Sequence, residues 1–248
     1  AAELDAGVGR PDVLHDLELE DEVAEGLLAG EEAVGRADHR GAHDGAVDDH
    51  HLVVGDRVLG VDLGRDAHVH QEVGFGIANL ICYAEAAQAK GVKLEDYIPR
   101  VDLHMSSDSD LFEEVAKFRA VRRLWAWTAE KRFKTRDPRI LSLRISTYTA
   151  ANRLTAQEPL NNIIRSTVHV LASMLAGVDH ITAAAYDEAL ALPTFESARL
   201  ASLTKHILNH ENCIGHTVDP LGGSYYLESL TNQVEEKARH WYEQVEDM

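Results

Sequence analysis

Residues 139–193 read RILSLRISTYTAANRLTAQEPLNNIIRSTVHVLASMLAGVDHITAAAYDEALALP, and this stretch decides the fold. Leu141, Leu143 and Ile145 alternate with Ser142, Arg144 and Ser146. That period of two sends successive side chains to opposite faces of a strand. Pro159 falls in the first turn of a helix, where its missing N–H costs nothing. Ile163, Ile164, Val168, Leu171 and Leu175 follow at helical spacing, and Gly177 is placed to end the helix. A second strand is expected over residues 179–185, leading into the polar pair Asp187 and Glu188. Strand, helix and strand with short connections form the unit of a parallel α/β sheet.

On the N-terminal side of this stretch, residues 74–91 (GFGIANLICYAEAAQAKG) read as a helix burying Phe75, Ile77, Ala78, Ile81 and Ala84, with Gly91 ending it. Pro99 and Arg100 then introduce a short strand over residues 101–105. Asp108, Ser109 and Asp110 offer N-caps for a long helix starting at Leu111. Glu113 and Glu114 in its first turn and Lys131 and Arg132 in its last suit the helix dipole. Leu111, Val115, Phe118, Val121, Leu124, Trp125 and Thr128 form its packing stripe. Lys117, Arg119, Arg122 and Arg123 read mostly as a solvated basic face. No GxGxxG, P-loop or GxSxG follows any of these strands.

On the C-terminal side, residues 194–213 read as a helix with Ala198, Leu200, Ala201, Leu203 and Ile207 available for packing. His206 and His210 stand one turn apart with His216 nearby, but residue 207 is Ile, so no HExxH exists and surface histidines are the expectation. After a turn-rich DPLGGS loop, Leu227, Leu230, Val234, Ala238, Trp241 and Val245 mark a last helix. It reaches residue 248 without a capping residue, so the chain reads as cut off rather than finished.

Composition bounds the function classes. The net charge of −18 argues against nucleic acid or an anionic membrane as partners. No apolar run is long enough for a membrane span, and no signal peptide is legible. Cys82 and Cys213 have neither disulfide nor metal spacing, which points to a reducing, cytoplasmic setting.

The charge is unevenly spread. Residues 1–72 hold 19 Asp/Glu against 5 Arg, whereas residues 73–248 hold 23 acids against 19 bases. Residues 1–70 use only Ala, Glu, Leu, Asp, Gly, Val, Arg, Pro and His. The ten types Ser, Thr, Lys, Asn, Ile, Phe, Tyr, Trp, Met and Cys make up roughly a third of average usage, so their chance absence is on the order of 10⁻¹². Every type present has codons beginning with G or C. Residues 1–72 therefore read as a GC-rich gene translated in a non-native frame, or else as a genuine acidic, disordered low-complexity segment. Asp48, Asp49, His50 and His51, and the Asp66-Ala67-His68 triplet, reflect enrichment in Asp and His rather than a metal site.

Four long, ordered motifs carry a resemblance: EEVAKFRAVRRLWA (113–126), LTAQEPLNNIIRST (154–167), YDEALALPT (186–194) and DPLGGSYYLESLT (219–231). Residues 74–248 resemble the adenosylcobalamin-dependent acyl-CoA mutases, the methylmalonyl-CoA mutase family. The resemblance implies a (β/α)₈ (TIM) barrel that binds acyl-CoA along its axis, with a separate flavodoxin-like domain for cobalamin. This chain would then be a partial barrel, its last three strand–helix units built on strands 101–105, 141–146 and 179–185. The implied chemistry is isomerase chemistry, a radical carbon-skeleton rearrangement whose reactivity belongs to the cofactor. A cobalamin-binding subunit or second mutase subunit is the implied partner. The alternative is a non-catalytic α/β binding or structural fragment.

By resemblance, Arg100 matches the family's CoA-contacting arginine, apt for phosphate or polar pantetheine groups. Glu188 matches the glutamate that hydrogen-bonds the adenosyl ribose. Asp102 and His104 lie in the strand where the family commonly carries Ser and Phe. Tyr148 and Asp179 each stand in place of a substrate-facing glutamine. The catalytic histidine and the tyrosine and arginine that grip the substrate carboxylate have no counterpart in the matched residues, so the catalytic residues stay unassigned and the acyl group open.

Overall fold

The computed structural model describes residues 57–60 and 68–248. The segment expected to be non-native or disordered, 1–72, thus lies mostly outside the described residues, as do Asp48, Asp49, His50, His51, Asp66 and Ala67. Four strands, β1 (Arg57–Gly60), β2 (Val101–Ser107), β3 (Arg144–Thr149) and β4 (His180–Thr182), form one parallel sheet in the order β1-β2-β3-β4. Helices α1 (Val69–Ala89), α2 (Leu111–Phe133) and α3 (Asn162–Leu175) connect successive strands. Then α4 (Phe195–His210) and α5 (Tyr225–Glu246) follow. The expected parallel α/β plan is present, with one strand more than the three expected. That strand comes from RVLG at 57–60, a short apolar run hidden inside the acidic composition.

One face of the sheet is the core. Val101, Leu103 and Met105 of β2 and Ile145 of β3 are buried beneath α1 and α2, where Ile77, Leu80, Val115, Phe118, Leu124 and Trp125 meet them. The α2 stripe packs as its spacing requires, and the Trp125 indole N–H donates to Ile140 O at 3.0 Å, so its one polar atom is satisfied. Asp110 is the residue that caps α2, its carboxylate accepting from Glu113 N. Helix α5 lies across α1 and α2 through Leu227, Val234, Ala238 and Tyr242. Gly74 allows that approach: a Cβ there would stand 2.7 Å from both Ala238 O and Trp241 Cβ.

Several boundaries move, each for a local reason. Leu141 is not in a strand. Asp137 accepts from Arg139 N and Pro138 occupies the first turn, so residues Pro138–Leu141 coil into a helical turn and β3 starts at Arg144. The Asp-Pro start signal outcompetes the alternation. Pro159 opens a 3₁₀ turn, Pro159–Asn161, that runs into α3. Gly177 adopts φ +67° and lets Val178 N reach back to Ser173 O at 3.1 Å. Strand β4 ends at Thr182, because Ala184 turns its N–H to Thr149 Oγ1 instead of to a neighbouring strand.

Of Lys117, Arg119, Arg122 and Arg123, only Arg123 is exposed as a solvated face requires. Lys117 is 1% exposed and its ammonium meets Glu72 Oε2 at 2.8 Å and Glu114 Oε2 at 2.7 Å. Arg119 bridges Asp219 and Glu228. Arg122 donates to Ala176 O and Gly177 O. Arg123 pairs with Glu235. Each side chain ties α2 to an element distant in sequence. On α4 the expectation fails in the other direction: Leu200, Leu203 and Ile207 remain 39–45% exposed while Ser197 and Leu208 are buried. His206, His210 and His216 are all exposed, the first two with stacked rings.

Candidate functional site at the strand ends

The second face of the sheet is polar and only partly covered. Asp102, His104 and Ser106 alternate with the buried residues of β2. In register, Asp102 lies beside Arg144, His104 beside Ser146 and Ser106 beside Tyr148, while Ser146 and Tyr148 in turn lie beside His180 and Thr182. His104 Nδ1 and Ser146 Oγ are 3.0 Å apart, so these side chains share the face. Within β2, β3 and β4 no large aliphatic residue sits in this row, in contrast to the opposite face.

The C-terminal edge is the most organised part. Tyr148, one residue from the end of β3, donates its hydroxyl to Glu188 Oε1. The other carboxylate oxygen, Oε2, accepts from Ala185 N at 3.1 Å. Burial, the hydrogen bond to Glu188 and the charge of that carboxylate all push the Tyr148 phenol above its ordinary range, so it stays protonated. Glu188 is carried on a tight turn in which Leu190 N bonds Asp187 O at 2.8 Å, and Asp187 Oδ2 accepts from Thr194 N, just before α4.

That turn is fixed by α3. Asn162, wholly buried at the start of the helix, donates to both Thr155 O and Tyr186 O at 2.8 Å and accepts from Thr155 N at 3.1 Å. Ser166 Oγ donates to Ala184 O. The two motifs LTAQEPLNN and YDEAL are therefore one structural unit, clamped by an amide whose donors and acceptor are all used. Nothing in the spacing of either motif announced the clamp. A buried Asn early in a helix was the available signal.

Beneath the same edge, Ser106 N and Oγ both donate to Glu72 Oε1, at 2.7 and 3.2 Å, and Lys117 Nζ donates to Ser106 O at 2.9 Å. Burial is the largest influence on Lys117 and favours loss of its proton, but Glu114 and Glu72 outweigh it and keep the ammonium charged. Burial pushes the Glu114 carboxyl up to about 7; Lys117 opposes that rise and Glu72 reinforces it. The cluster anchors the end of β2 from the helix side and meets the polar face at the Ser106 hydroxyl.

The remaining candidates lie elsewhere. Arg100 immediately precedes β2, at the N-terminal edge. Asp102 sits one residue into β2, with Oδ1 buried and unpaired. Asp179 precedes β4, and its carboxylate accepts from Ile145 N at 2.9 Å while its own N–H donates to Ile145 O at 2.9 Å. It prolongs the β3–β4 ladder, and its side chain is spent on the backbone. Asp179 also borders a cleft of about 330 Å³ with His180, Lys205 and Asn209. The structure thus brings Tyr148 and Glu188 together and pairs His104 with Ser146. Arg100 and Asp179 lie toward the other end: Arg100 is set back by the length of β2, about 20 Å at ~3.3 Å per residue, and Asp179, paired with Ile145, by about 10 Å. Among the described residues no group of three or more His, Cys, Asp or Glu could hold a metal ion, and no helix is long and apolar enough to cross a membrane.

A parallel α/β sheet with polar groups gathered past its strand ends defines a class of ligand-binding α/β proteins. Comparison with known proteins narrows the class. The methylmalonyl-CoA mutase family profile matches residues 64–248, so the chain belongs to that family. It is 42% identical over 191 residues to the methylmalonyl-CoA mutase of Escherichia coli (strain K12), covering 77% of this chain and 27% of the relative. It is 39% identical over 176 residues to the 2-hydroxyisobutanoyl-CoA mutase large subunit of Aquincola tertiaricarbonis, 71% of this chain and 31% of the relative. Against the mitochondrial methylmalonyl-CoA mutase of Mus musculus the figures are 37% over 187 residues, 75% and 25%. The chain therefore spans between a quarter and a third of the length of these relatives. The match begins at residue 64, ahead of the resemblance legible from residue 74.

Proposed function

We propose that this chain supplies part of the substrate channel of an adenosylcobalamin-dependent acyl-CoA mutase, as a sector of a (β/α)₈ barrel. The carrying observation is the polar face of the sheet, running from Asp102 through His104, Ser146 and Ser106 to Tyr148 and Glu188. Its length along β2, about 20 Å, suits an extended acyl-CoA laid parallel to the strands. Arg100 at the N-terminal edge would meet the polar CoA portion, where a guanidinium offers a fork of donors. His104 and Ser146 would flank the acyl group, and Asp179 would brace the strand pair that carries Ser146.

Glu188 fits the adenosyl ribose as an acceptor. A carboxylate offers about four lone-pair sites, and two are taken by Tyr148 and Ala185 N. Bound adenosylcobalamin supplies the radical chemistry of the rearrangement. The residues here bind, orient and exclude water. The rest of the barrel and the cobalamin domain come from further polypeptide or a partner subunit.

Mixing the chain with polypeptide carrying the remaining barrel strands and the cobalamin domain, plus adenosylcobalamin and methylmalonyl-CoA or 2-hydroxyisobutanoyl-CoA, tests this reading. Isomerised product that disappears when the chain is omitted is expected. No turnover with the full set, together with no heat on titrating CoA into the chain, defeats it in favour of a non-catalytic fragment.

A further inference from the structure

Tyr148 is this chain's departure from the family pattern, standing where the resemblance places a glutamine, and its partner is the residue assigned to the ribose. The phenol arises from β3 in register with Ser106 and Thr182, and its hydroxyl reaches Glu188, forty residues along the chain. Ala185 N holds the second carboxylate oxygen. Both oxygens of Glu188 are therefore engaged by the protein itself. A vicinal ribose diol binds a carboxylate best with one hydroxyl on each oxygen. With the phenol on Oε1, an incoming hydroxyl must compete with it for that oxygen. Ala185 N belongs to the turn that Asn162 and Ser166 clamp, so that donor is fixed. Tyr148 is half-exposed and carried on a side-chain torsion, so it is the donor that can yield.

We propose that Tyr148 is a specificity-determining latch on Glu188, self-pairing the carboxylate until the 2′,3′-diol of a ribonucleoside displaces the phenol. The inference rests on the reading that Glu188 meets ribose. Its consequence is that the site as built binds a ribonucleoside less tightly than Glu188 alone would, and ligand binding swings the Tyr148 ring on the polar face. The ring then sits beside Ser106 and His104, so nucleoside occupancy changes the shape offered to the acyl group.

The experiment uses the full chain, adenosine and 2′,3′-dideoxyadenosine as probes, and the variants Tyr148→Phe and Glu188→Gln. Phenylalanine keeps the ring and removes only the competing donor. Adenosine is expected to bind Tyr148→Phe about tenfold more tightly than the unmodified chain, the size of one charge-assisted hydrogen bond. Glu188→Gln should weaken adenosine, and dideoxyadenosine should not respond to Tyr148→Phe. Adenosine binding that depends on Glu188 but is unchanged or weakened by Tyr148→Phe overturns the latch and leaves the ribose reading standing. No adenosine binding to either form overturns both. A ligand-free readout closes the remaining gap: the ultraviolet titration of the Tyr148 phenol, isolated by subtracting the Tyr148→Phe spectrum, should move down in Glu188→Gln, and an unmoved titration overturns the pairing itself.

Discussion

Leu103 and His104 are neighbours in β2, yet they belong to different economies of the molecule. Leu103 points into a core closed by α1 and α2 and is wholly buried. His104 points the other way, half-covered, and shares a hydrogen bond with Ser146 Oγ. The difference is general along the strand. One face is used up in folding, while the other keeps polar groups that folding does not consume. The helix side even contains charge, but that charge is fully committed, with Lys117 in contact with two carboxylates and the backbone of Ser106. On the second face polar capacity is left over, as at Asp102 Oδ1, which has no hydrogen-bond partner.

The sharpest way to break this contrast is Lys117→Met. Removing the ammonium leaves Glu72 and Glu114 buried side by side, and denaturant unfolding should show a loss of about 3–5 kcal/mol. Adding Glu72→Gln and Glu114→Gln to the same variant should recover part of it, because the cost is uncompensated charge rather than lost packing. Leu103→Ala should cost about 2–5 kcal/mol through burial lost and cavity left. Asn162→Ala should cost about 1–3 kcal/mol, since Thr155 and Tyr186 lose their buried partner. In that variant hydrogen exchange should quicken along residues 183–191 and not in β2.

The pH dependence has a defined sign. Glu114 is raised to about 7 from the ordinary 4.5, so the folded state takes up its proton at higher pH than the unfolded chain. Its contribution to stability is complete below the unfolded value and is lost as pH rises through 7. Unfolding free energy measured from pH 7.5 to 5 should therefore gain more in the unmodified chain than in Glu114→Gln. Comparing the two removes the opposite trend of Asp108, whose carboxyl burial would raise but which Arg153 and Ser109 hold low. The smallest effect belongs to His104→Ala, within about 0.5 kcal/mol by thermal unfolding. If that substitution costs as much as Leu103→Ala, the polar face is part of the folding core and the contrast fails.

The sequence by itself determined the family, through four motifs, and most of the helical scaffold. Helices α1, α2 and α5 were legible because a repeat near 3.6 is a property of adjacent residues, and Asp110, Gly91 and Gly177 mark ends by local geometry. The parallel plan was legible for the same reason, as strand, helix and strand in order. Where alternation met a stronger local signal, at Asp137-Pro138, the reading erred by three residues. In the acidic segment, composition masked the short run that makes β1.

Only the tertiary structure decided what the charged and polar residues are for. Lys117 and Glu72 are 45 residues apart, and nothing local distinguishes a basic residue on a helix surface from one held between carboxylates. The candidates split on the same ground. Asp179 turned out to bind the backbone of β3, and Arg100 lies at the far edge, while Tyr148 and Glu188, read from separate motifs, meet. Hydrophobic periodicity is written along the chain because burial is repeated at every turn. Pairing between polar groups depends on a single distance across the fold, and no periodicity encodes it.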